Sequence, residues 1–311
     1  MVYDVIIIGG SFAGLSAATI LGRARRSVLV IDHHQPRNRF SDYSHGLFAQ
    51  DGEAPYAMIA RAREQLLAYG CVTVQEGEAI AARANGSRYD VELAGGSVFS
   101  AQKILLATGV ADELPDLPGL RERWGKTVLH CPYCHAYEIP ERARIGVLDS
   151  SGKMVVMEKG EDPVMQAVRQ ALLLKGWGRV TYFANGFPLA PDSEKALHDA
   201  NITIERAAAE ALNGEAPSLR SLSLKDGREV EIDALFSSFP TVMTPLAAQL
   251  GCICIPGIWG PVIEVNDRQE TSVKGVYAAG DAALPAHNIT LAAADGVKAG
   301  IALHHALVFG F

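Results

Sequence analysis

The first 32 residues constrain the fold of this chain more than any other stretch. Val2-Tyr3-Asp4-Val5-Ile6-Ile7-Ile8 ends in an unbroken run of β-branched side chains with no polar alternation. Such a strand is buried on both faces, which requires helices above and below a parallel sheet. Gly9-Gly10-Ser11-Phe12-Ala13-Gly14 follows at once, then an Ala-rich helix over residues 15–25, a second strand over 27–31 and the terminal acid Asp32. A dinucleotide fingerprint places Gly at its first, third and sixth positions. Here Ser11 holds the third, and its small side chain still admits a pyrophosphate to the backbone N–H groups of the helix N-terminus. Asp32 lies roughly 20 residues on, where a carboxylate takes the ribose hydroxyls of the adenosine half. A lone glycine pattern is weak evidence. Strand, loop, helix, strand and acid in that order are a much stronger sign of a dinucleotide-binding half.

A chain of 311 residues has room for two domains, each with its own core. With 49% hydrophobic and 20% charged residues it is expected to fold as a soluble globular protein. A formal charge of −7 argues against nucleic acid as a partner and against a polybasic membrane attachment. The longest apolar runs are strand-sized, far short of a bilayer span. No basic segment followed by an apolar region precedes the first strand, so no secretory signal is expected. Five cysteines, an odd number, do not resemble an extracellular disulfide framework. A cytoplasmic location is expected.

Further along, a polar loop over 33–52 is expected to fold along the dinucleotide, and an amphipathic helix over 55–69 follows it. Residues 73–80, 88–93 and 97–99 read as strands of a meander. The strand over 103–106 ends in Ala107-Thr108-Gly109, and Pro115 and Pro118 mark the chain leaving the first domain. A second α/β unit begins with a strand over 144–148, a helix over 163–175 and a strand over 179–183. A helix over 193–200 and a hairpin over 222–232 around Lys225-Asp226-Gly227-Arg228 complete it. The chain returns with a strand over 276–279 ending in Gly280-Asp281, then an Ala-rich helix over 290–307. The expected class is α/β, with two Rossmann-like three-layer domains, the second inserted in the first.

Between the two units lies His130-Cys131-Pro132-Tyr133-Cys134-His135. Two cysteines three apart can close and reopen a disulfide. At the start of a helix the first sulfur is exposed to the N-terminal field, which favours the attacking thiolate. Pro132 stiffens the turn, and the flanking histidines can lower a thiol pKa or carry a proton. A Cys-x-x-Cys is also half of a zinc site, with Cys252 and Cys254 as the other half. Cys-x-Cys is a poor zinc knuckle, however, and its alternation with Ile reads as core packing. Cys71 reads as a small hydrophobe. Cys-Pro-Tyr-Cys is the glutaredoxin tetrad too, but glutaredoxins are small domains with the motif near their start.

Taken together, Gly9–Gly14, Asp32, Ala107-Thr108-Gly109, the Cys131–Cys134 tetrad and Gly275-Val276-Tyr277-Ala278-Ala279-Gly280-Asp281 resemble the low-molecular-weight thioredoxin reductase family of flavoproteins. The resemblance covers nearly the whole chain. It implies a discontinuous FAD domain over 1–113 and 244–311, a central redox-disulfide domain over 114–243, and a homodimer. The FAD contacts it implies are Gly9, Ser11, Phe12, Ala13, Asp32, His33, Arg39, His45, Ala79, Thr108, Gly109, Asp281, Asn288, Ile289 and Thr290. It further implies that Cys134 faces the flavin C4a and that Cys131 exchanges with substrate. His135 stands where bacterial reductases carry an acid that protonates the outgoing thiolate, and a histidine there would work with a pKa nearer neutrality.

One departure matters as much as the match. The family's central domain repeats the glycine fingerprint and offers a His-Arg-Arg cluster to the 2′-phosphate of NADPH. Here the corresponding loop, Leu148-Asp149-Ser150-Ser151-Gly152-Lys153-Met154, has one Gly and places Asp149 where phosphate should lie. Glu158, Glu161 and Asp162 follow, and the next strand ends in Phe183-Ala184-Asn185-Gly186. The resemblance is therefore to the branch without NADPH motifs, with reduced ferredoxin or flavin as donor and a thioredoxin-like protein or small dithiol or disulfide as partner. A divergent but working NADPH site is the competing explanation of the loop. A dithiol oxidase using dioxygen and a flavin sensor without turnover are the functional rivals. His304 and His305 read either as a base near the flavin or as cations at a helix C-terminus. The tail Phe309-Gly310-Phe311 reads either as an aromatic cover for a flavin or as a hydrophobic anchor.

Overall fold

The structure is a computed structural model that describes residues 2–150 and 163–310. The chain divides into two compact units, Met1–Arg39 with Ala54–Ala111 and Val242–Phe311, and Phe40–Glu53 with Asp112–Thr241.

The first unit is built on a twisted sheet. Its strand order is Val72–Glu76, Val28–Asp32, Val2–Ile8, Val98–Leu106, Arg88–Leu93 and Ala79–Asn85, with Val276–Ala278 paired to the last residues of Val98–Leu106. The strands from Val72–Glu76 to Val98–Leu106 run parallel, as does Val276–Ala278, whereas Arg88–Leu93 and Ala79–Asn85 form an antiparallel extension. The apolar run in the first strand divides between the sheet's two faces. Val5 and Ile7 pack on one side with the Phe12–Arg23 and Ile289–Phe309 helices, and Ile6 and Ile8 pack on the other with Leu246, Ala247 and Ile263. Burial on both faces is why the strand shows no polar alternation.

The helices Phe12–Arg23 and Ile289–Phe309 meet through small residues. A Cβ on Gly296 would come within 2.1 Å of the Ala13 carbonyl oxygen, and one on Gly300 within 2.9 Å of the Ala17 carbonyl oxygen. No other residue type permits that approach.

Two expectations are corrected. Residues 73–80 are not one strand: Val72–Glu76 pairs parallel with Val28–Asp32, the chain turns at Gly77 (φ +149°), and Ala79–Asn85 then pairs with Arg88–Leu93. The expected short strands over 97–99 and 103–106 are one nine-residue strand, Val98–Leu106. It is long because different neighbours pair with its two halves, Arg88–Leu93 with the first and Val276–Ala278 with the second.

The second unit has a five-stranded parallel sheet in the order Thr203–Glu205, Arg179–Phe183, Arg144–Leu148, Ala234–Phe236 and Val128–Leu129. Helices Pro163–Leu174 and Pro191–Asp199 cover one face, where Ile145, Val147, Tyr182 and Phe236 are buried. On the other face Leu148, Phe183 and Leu235 pack under an antiparallel sheet formed by Ala209–Asn213, Ser221–Leu224 and Glu229–Glu231. The Ser221–Leu224 and Glu229–Glu231 strands form the hairpin expected around Gly227.

Candidate active site

In the first unit the parallel strands deliver their C-terminal ends to one edge of the sheet, where open α/β sheets bind ligands. Ile8 leads into Gly9, Asp32 ends its strand, Leu106 leads into Ala107-Thr108-Gly109, and Ala278 leads into the Gly280–Ala282 turn. The Gly9 loop and the Ala107 strand end touch closely, since a Cβ on Gly9 would lie 2.1 Å from the Ala107 carbonyl oxygen. Ser11 is the extended N-cap of the Phe12–Arg23 helix, and its side chain makes no capping hydrogen bond. The Leu15 amide donates to the Ser11 carbonyl at 2.9 Å, as the first turn of a helix requires. The amides before it, including those of Phe12 and Ala13, have no carbonyl one turn earlier in the helix to bond, and they face an incoming anion.

Asp32 is buried, and its Oδ1 accepts from the Gly10 and His34 amides, each at 3.3 Å. Arg63 Nη1 lies 3.7 Å from its Oδ2, and Arg63 also hydrogen-bonds the His34 ring. Asp281 faces Arg37 at 3.4 Å, and Arg37 reaches His287 Nδ1 at 2.5 Å. The sequence reading missed Arg37, His34, Arg63 and His287, because their places depend on contacts between segments far apart in the chain.

The remaining expected cofactor residues of this unit are distributed as follows. His33 is exposed, and Arg39 Nη1 donates to the Pro36 carbonyl at 3.1 Å. Ala79 is half-buried against the core, and Thr108 and Gly109 are half-buried at the strand end. Asn288 caps the Ile289–Phe309 helix, its Oδ1 accepting from the Thr290 amide at 2.8 Å and the Leu291 amide at 3.3 Å. Behind that turn, buried Asp295 accepts from the Gly280 amide at 2.9 Å, and burial raises its carboxyl above the ordinary range.

These residues fit a dinucleotide. The buried Nδ2 of Asn38, next to Arg37 in the Arg37–Phe40 turn, has no hydrogen-bond partner among the described residues, leaving a donor for a polar ligand. Gly9, Ser11, Phe12, Ala13, Asp32 and Asp281 all lie at or just beyond the C-terminal ends of these parallel strands.

The second unit carries the dithiol. Cys131 and Cys134 form a disulfide with Cα atoms 5.3 Å apart. Cys131 is the extended N-cap of a helix of one turn, Pro132–His135, that follows the edge strand Val128–Leu129. The helix is too short for an appreciable macrodipole, so thiolate stabilisation there is limited to nearby amides and side chains. His130 stacks on Trp124 at 5.7 Å between ring centroids, its carbonyl accepts from Gln170 Nε2 at 2.8 Å, and its ring lies 6.3 Å from that of His135. Tyr133, between the cysteines, is 74% exposed. Burial lowers the His135 pKa, the Glu138 carboxylate opposes that shift, and His45 reinforces it.

His45 belongs to Phe40–Glu53, the segment of the sequence's first third that folds with the dithiol unit. Its Nε2 is 3.4 Å from Glu138 Oε1, and its Nδ1 is 3.4 Å from Asp51 Oδ2.

The loop where a second dinucleotide fingerprint would stand is turned inward as far as it is described. Asp149 is fully buried, and its Oδ2 accepts from the Tyr182 hydroxyl at 2.6 Å. Asn185, in the left-handed region at φ +53°, donates to the Asp149 carbonyl at 3.1 Å and accepts from the Ala209 amide at 2.9 Å. Ser151, Gly152, Lys153, Met154, Glu158, Glu161 and Asp162 lie outside the described residues.

Of the other cysteines, Cys71 donates to the Gly22 carbonyl at 3.5 Å and packs against the core. Cys252 is half-buried, its thiol pushed up by burial, and directs its sulfur to Thr271 Oγ1 at 3.5 Å. Cys254 is exposed, which corrects its reading as a core residue. It lies in the short edge ribbon of Cys254–Pro256 and Pro261–Ile263. The rings of His304 and His305 lie 6.4 Å apart near the end of the Ile289–Phe309 helix, and Gly310 is its left-handed C-cap at φ +79°. Phe311 lies outside the described residues. Among the described residues no helix is long and apolar enough to cross a membrane.

The chain is similar to known proteins over nearly its whole length. Residues 3–156 and 185–305 match the family described as pyridine nucleotide-disulphide oxidoreductase. The chain is 34% identical over 307 residues to thioredoxin reductase tcpT of Claviceps purpurea, covering 96% of this chain and 92% of that protein. It is 27% identical to the thioredoxin reductase of Bacillus subtilis over 98% of this chain and 94% of that one. The crystal structure of an oxidoreductase from Agrobacterium tumefaciens superposes with a TM-score of 0.90 at 38% identity, covering 100% of both chains.

Proposed function

This chain belongs to the pyridine nucleotide-disulphide oxidoreductase family, as a thioredoxin reductase-like enzyme that binds FAD, and on that premise we propose that it exchanges electrons between FAD and the Cys131–Cys134 disulfide without NADPH. In this reading residues 1–113 and 244–311 hold FAD, apart from the 40–53 segment that folds with the dithiol unit, and 114–243 carry the dithiol. The partner is a thioredoxin-like protein or a small dithiol or disulfide, and the donor is reduced ferredoxin or free reduced flavin. The enzyme works as a cytoplasmic homodimer.

FAD, when bound, would supply a two-electron acceptor and donor. Gly9, Ser11, Phe12 and Ala13 present amides to its pyrophosphate, Asp32 takes the adenosine ribose, and Asp281 takes the ribityl or pyrophosphate side. His33, Arg39, Ala79, Thr108, Gly109, Asn288, Ile289 and Thr290 complete the contacts in this reading, while His45, which folds with the dithiol unit, is not among them. Cys134 is the sulfur on the cofactor side and Cys131 the sulfur on the substrate side. Once the pair is reduced, the Cys131 thiolate attacks one sulfur of a substrate disulfide and the substrate S–S bond breaks. Cys134 then displaces the second substrate thiolate, and the internal disulfide re-forms. His135 takes the proton from the attacking thiol and returns one to the outgoing thiolate.

The observation that carries the absence of NADPH is the Asp149–Tyr182 bond with Asn185 beside it. Both strand ends that would meet the nucleotide spend their polar groups on each other, and a buried carboxylate there repels phosphate. The test is an anaerobic titration of the purified yellow protein with NADPH, NADH and then dithionite. The flavin band should persist through both nucleotides and bleach with dithionite. Rapid bleaching at one equivalent of NADPH overturns the proposal.

The opposite direction, a dithiol oxidase, uses the same residues. Two electrons and two protons from a small dithiol would pass to dioxygen, giving peroxide. Aerobic turnover of a small dithiol with peroxide release selects that reading.

A further inference from the structure

We propose that His45 is a positioning residue of the dithiol centre, bridging Asp51 and Glu138 so that the Glu138 carboxylate is held at the end of the redox turn, three residues beyond His135. The inference rests on the reading of His135 as the proton carrier, and it concerns a residue that the family resemblance places on the cofactor.

The geometry begins with the segment that carries His45. Phe40–Glu53 folds with the dithiol unit although the residues on both sides of it belong to the other. It is tied down at its start, where Asp42 pairs with Lys126 at 2.5 Å and Phe40 packs so closely on Gly125 that a Cβ there would lie 2.6 Å from the Phe40 Cβ. It is closed on itself further along. The Ser44 amide donates to the Glu53 carbonyl and the Gly52 amide to the Ser44 carbonyl, both at 2.9 Å. The loop therefore presents His45 from a fixed base.

The ring then spans two carboxylates. Asp51 is itself fixed, because its Oδ1 accepts from the Gly46 amide at 2.7 Å while its Oδ2 lies 3.4 Å from His45 Nδ1. On the opposite edge His45 Nε2 lies 3.4 Å from Glu138 Oε1. The two ring nitrogens thus each meet one carboxylate, Nδ1 the Asp51 side and Nε2 the Glu138 side.

Glu138 follows His135 by three residues, across the end of the redox turn. The charged groups that act on His135 are Glu138 and His45, with the His130 ring at 6.3 Å and the Cys131–Cys134 disulfide on its own turn. Burial alone would keep His135 neutral. Glu138 restores part of its affinity for a proton, and His45 takes part of that back. His45 thus holds the carboxylate in place and moderates its field.

The test follows the His135 pKa directly in the oxidised, flavin-loaded full-length enzyme, where the two cysteines do not titrate. Histidine Cε1 resonances are recorded against pH, with His135→Asn assigning the signal. His45→Gln keeps a donor toward Glu138 but removes the imidazole that lowers the His135 pKa, so that pKa should rise. Glu138→Gln removes the anion, so it should fall. Each change should be on the order of half a pH unit or more for partly solvated charges several ångströms apart. Opposite shifts support the proposal, since loosening of the loop alone gives both variants the same sign. Shifts of one sign, or none, overturn it. If His45→Gln does not fold, Glu138→Gln decides alone, and an unchanged His135 pKa overturns the proposal. Opposite shifts together with a flavin–dithiol exchange rate indifferent to His135→Asn support the positioning role and overturn only the reading of His135 as proton carrier.

Discussion

His135 is a ring whose burial and charged neighbours pull in different directions, and the balance fixes which way its pH dependence runs. Burial, the largest influence, lowers its pKa below the unperturbed 6.5. The ring therefore favours its neutral form at pH 7, and in the proposed reading it acts first as a base for the attacking thiol. Activity that needs the neutral form is lost as pH falls through a midpoint on the acid side of 6.5. His135→Asn should remove that acid limb and lower the rate of dithiol–flavin exchange by about 100-fold, within the range for a positioned acid–base group. Rapid-reaction traces of flavin reoxidation across pH 5–8 measure both effects, and an intact acid limb in the variant would remove His135 from the chemistry. At this scale the sequence was most readable where residue types do local work. Asp281 was singled out only by the family resemblance, whereas the Gly9 turn, the strand-ending Asp32 and the Cys131–Cys134 disulfide each showed a local pattern. Arg37, Arg63 and His287 did not, since an arginine in a polar loop looks the same whether it solvates the surface or meets Asp281 from 244 residues away.

Among the elements, the helix pair at the dinucleotide edge depends most sharply on single atoms. Gly296 sits where a Cβ would meet a backbone oxygen rather than a side chain that can swing aside. Gly296→Ala must push the Ile289–Phe309 helix away from Phe12–Arg23 and with it the Gly280–Asp295 hydrogen bond. A destabilisation of about 1–3 kcal/mol is expected from such overpacking, together with weaker FAD retention. Denaturant unfolding and the flavin released on gel filtration would show it, and a variant with unchanged midpoint and full flavin would contradict the packing described. The helices were legible from their Ala-rich periodicity, and their contact was not, because nothing local separates a packing glycine from a breaker. The same limit explains residues 73–80. Gly77 interrupts an otherwise strand-like run, and only pairing with opposite edges of the sheet reveals two strands.

For the molecule as a whole, cofactor binding is linked to stability. A cofactor bound a thousandfold above its dissociation constant contributes about 4 kcal/mol to the unit that holds it. Removal of FAD should therefore lower the melting temperature of the first unit while leaving the dithiol unit's transition nearly unchanged, so that one calorimetric transition shifts or separates from the other. A uniform shift of all transitions would argue that the units unfold as one. The fold class was readable at this scale from two echoes of strand, helix and strand, with a return strand ending in Gly280-Asp281. The membership of Phe40–Glu53 was not, because a polar loop carries no periodicity to say which core it will join.

That membership governs how the protein can be taken apart. The chain passes between units at residues 39–40, 53–54, 111–112 and 241–242, so the dithiol unit is assembled from two stretches separated by most of the other unit's sheet. A fragment cut as residues 112–241 would leave behind the partner of Lys126 and the imidazole that meets Glu138. A chimera that exchanges only that span with a relative would join a foreign redox turn to a resident loop. In breeding such enzymes by recombination, residues 40–53 must travel with the dithiol and not with the sequence that surrounds them.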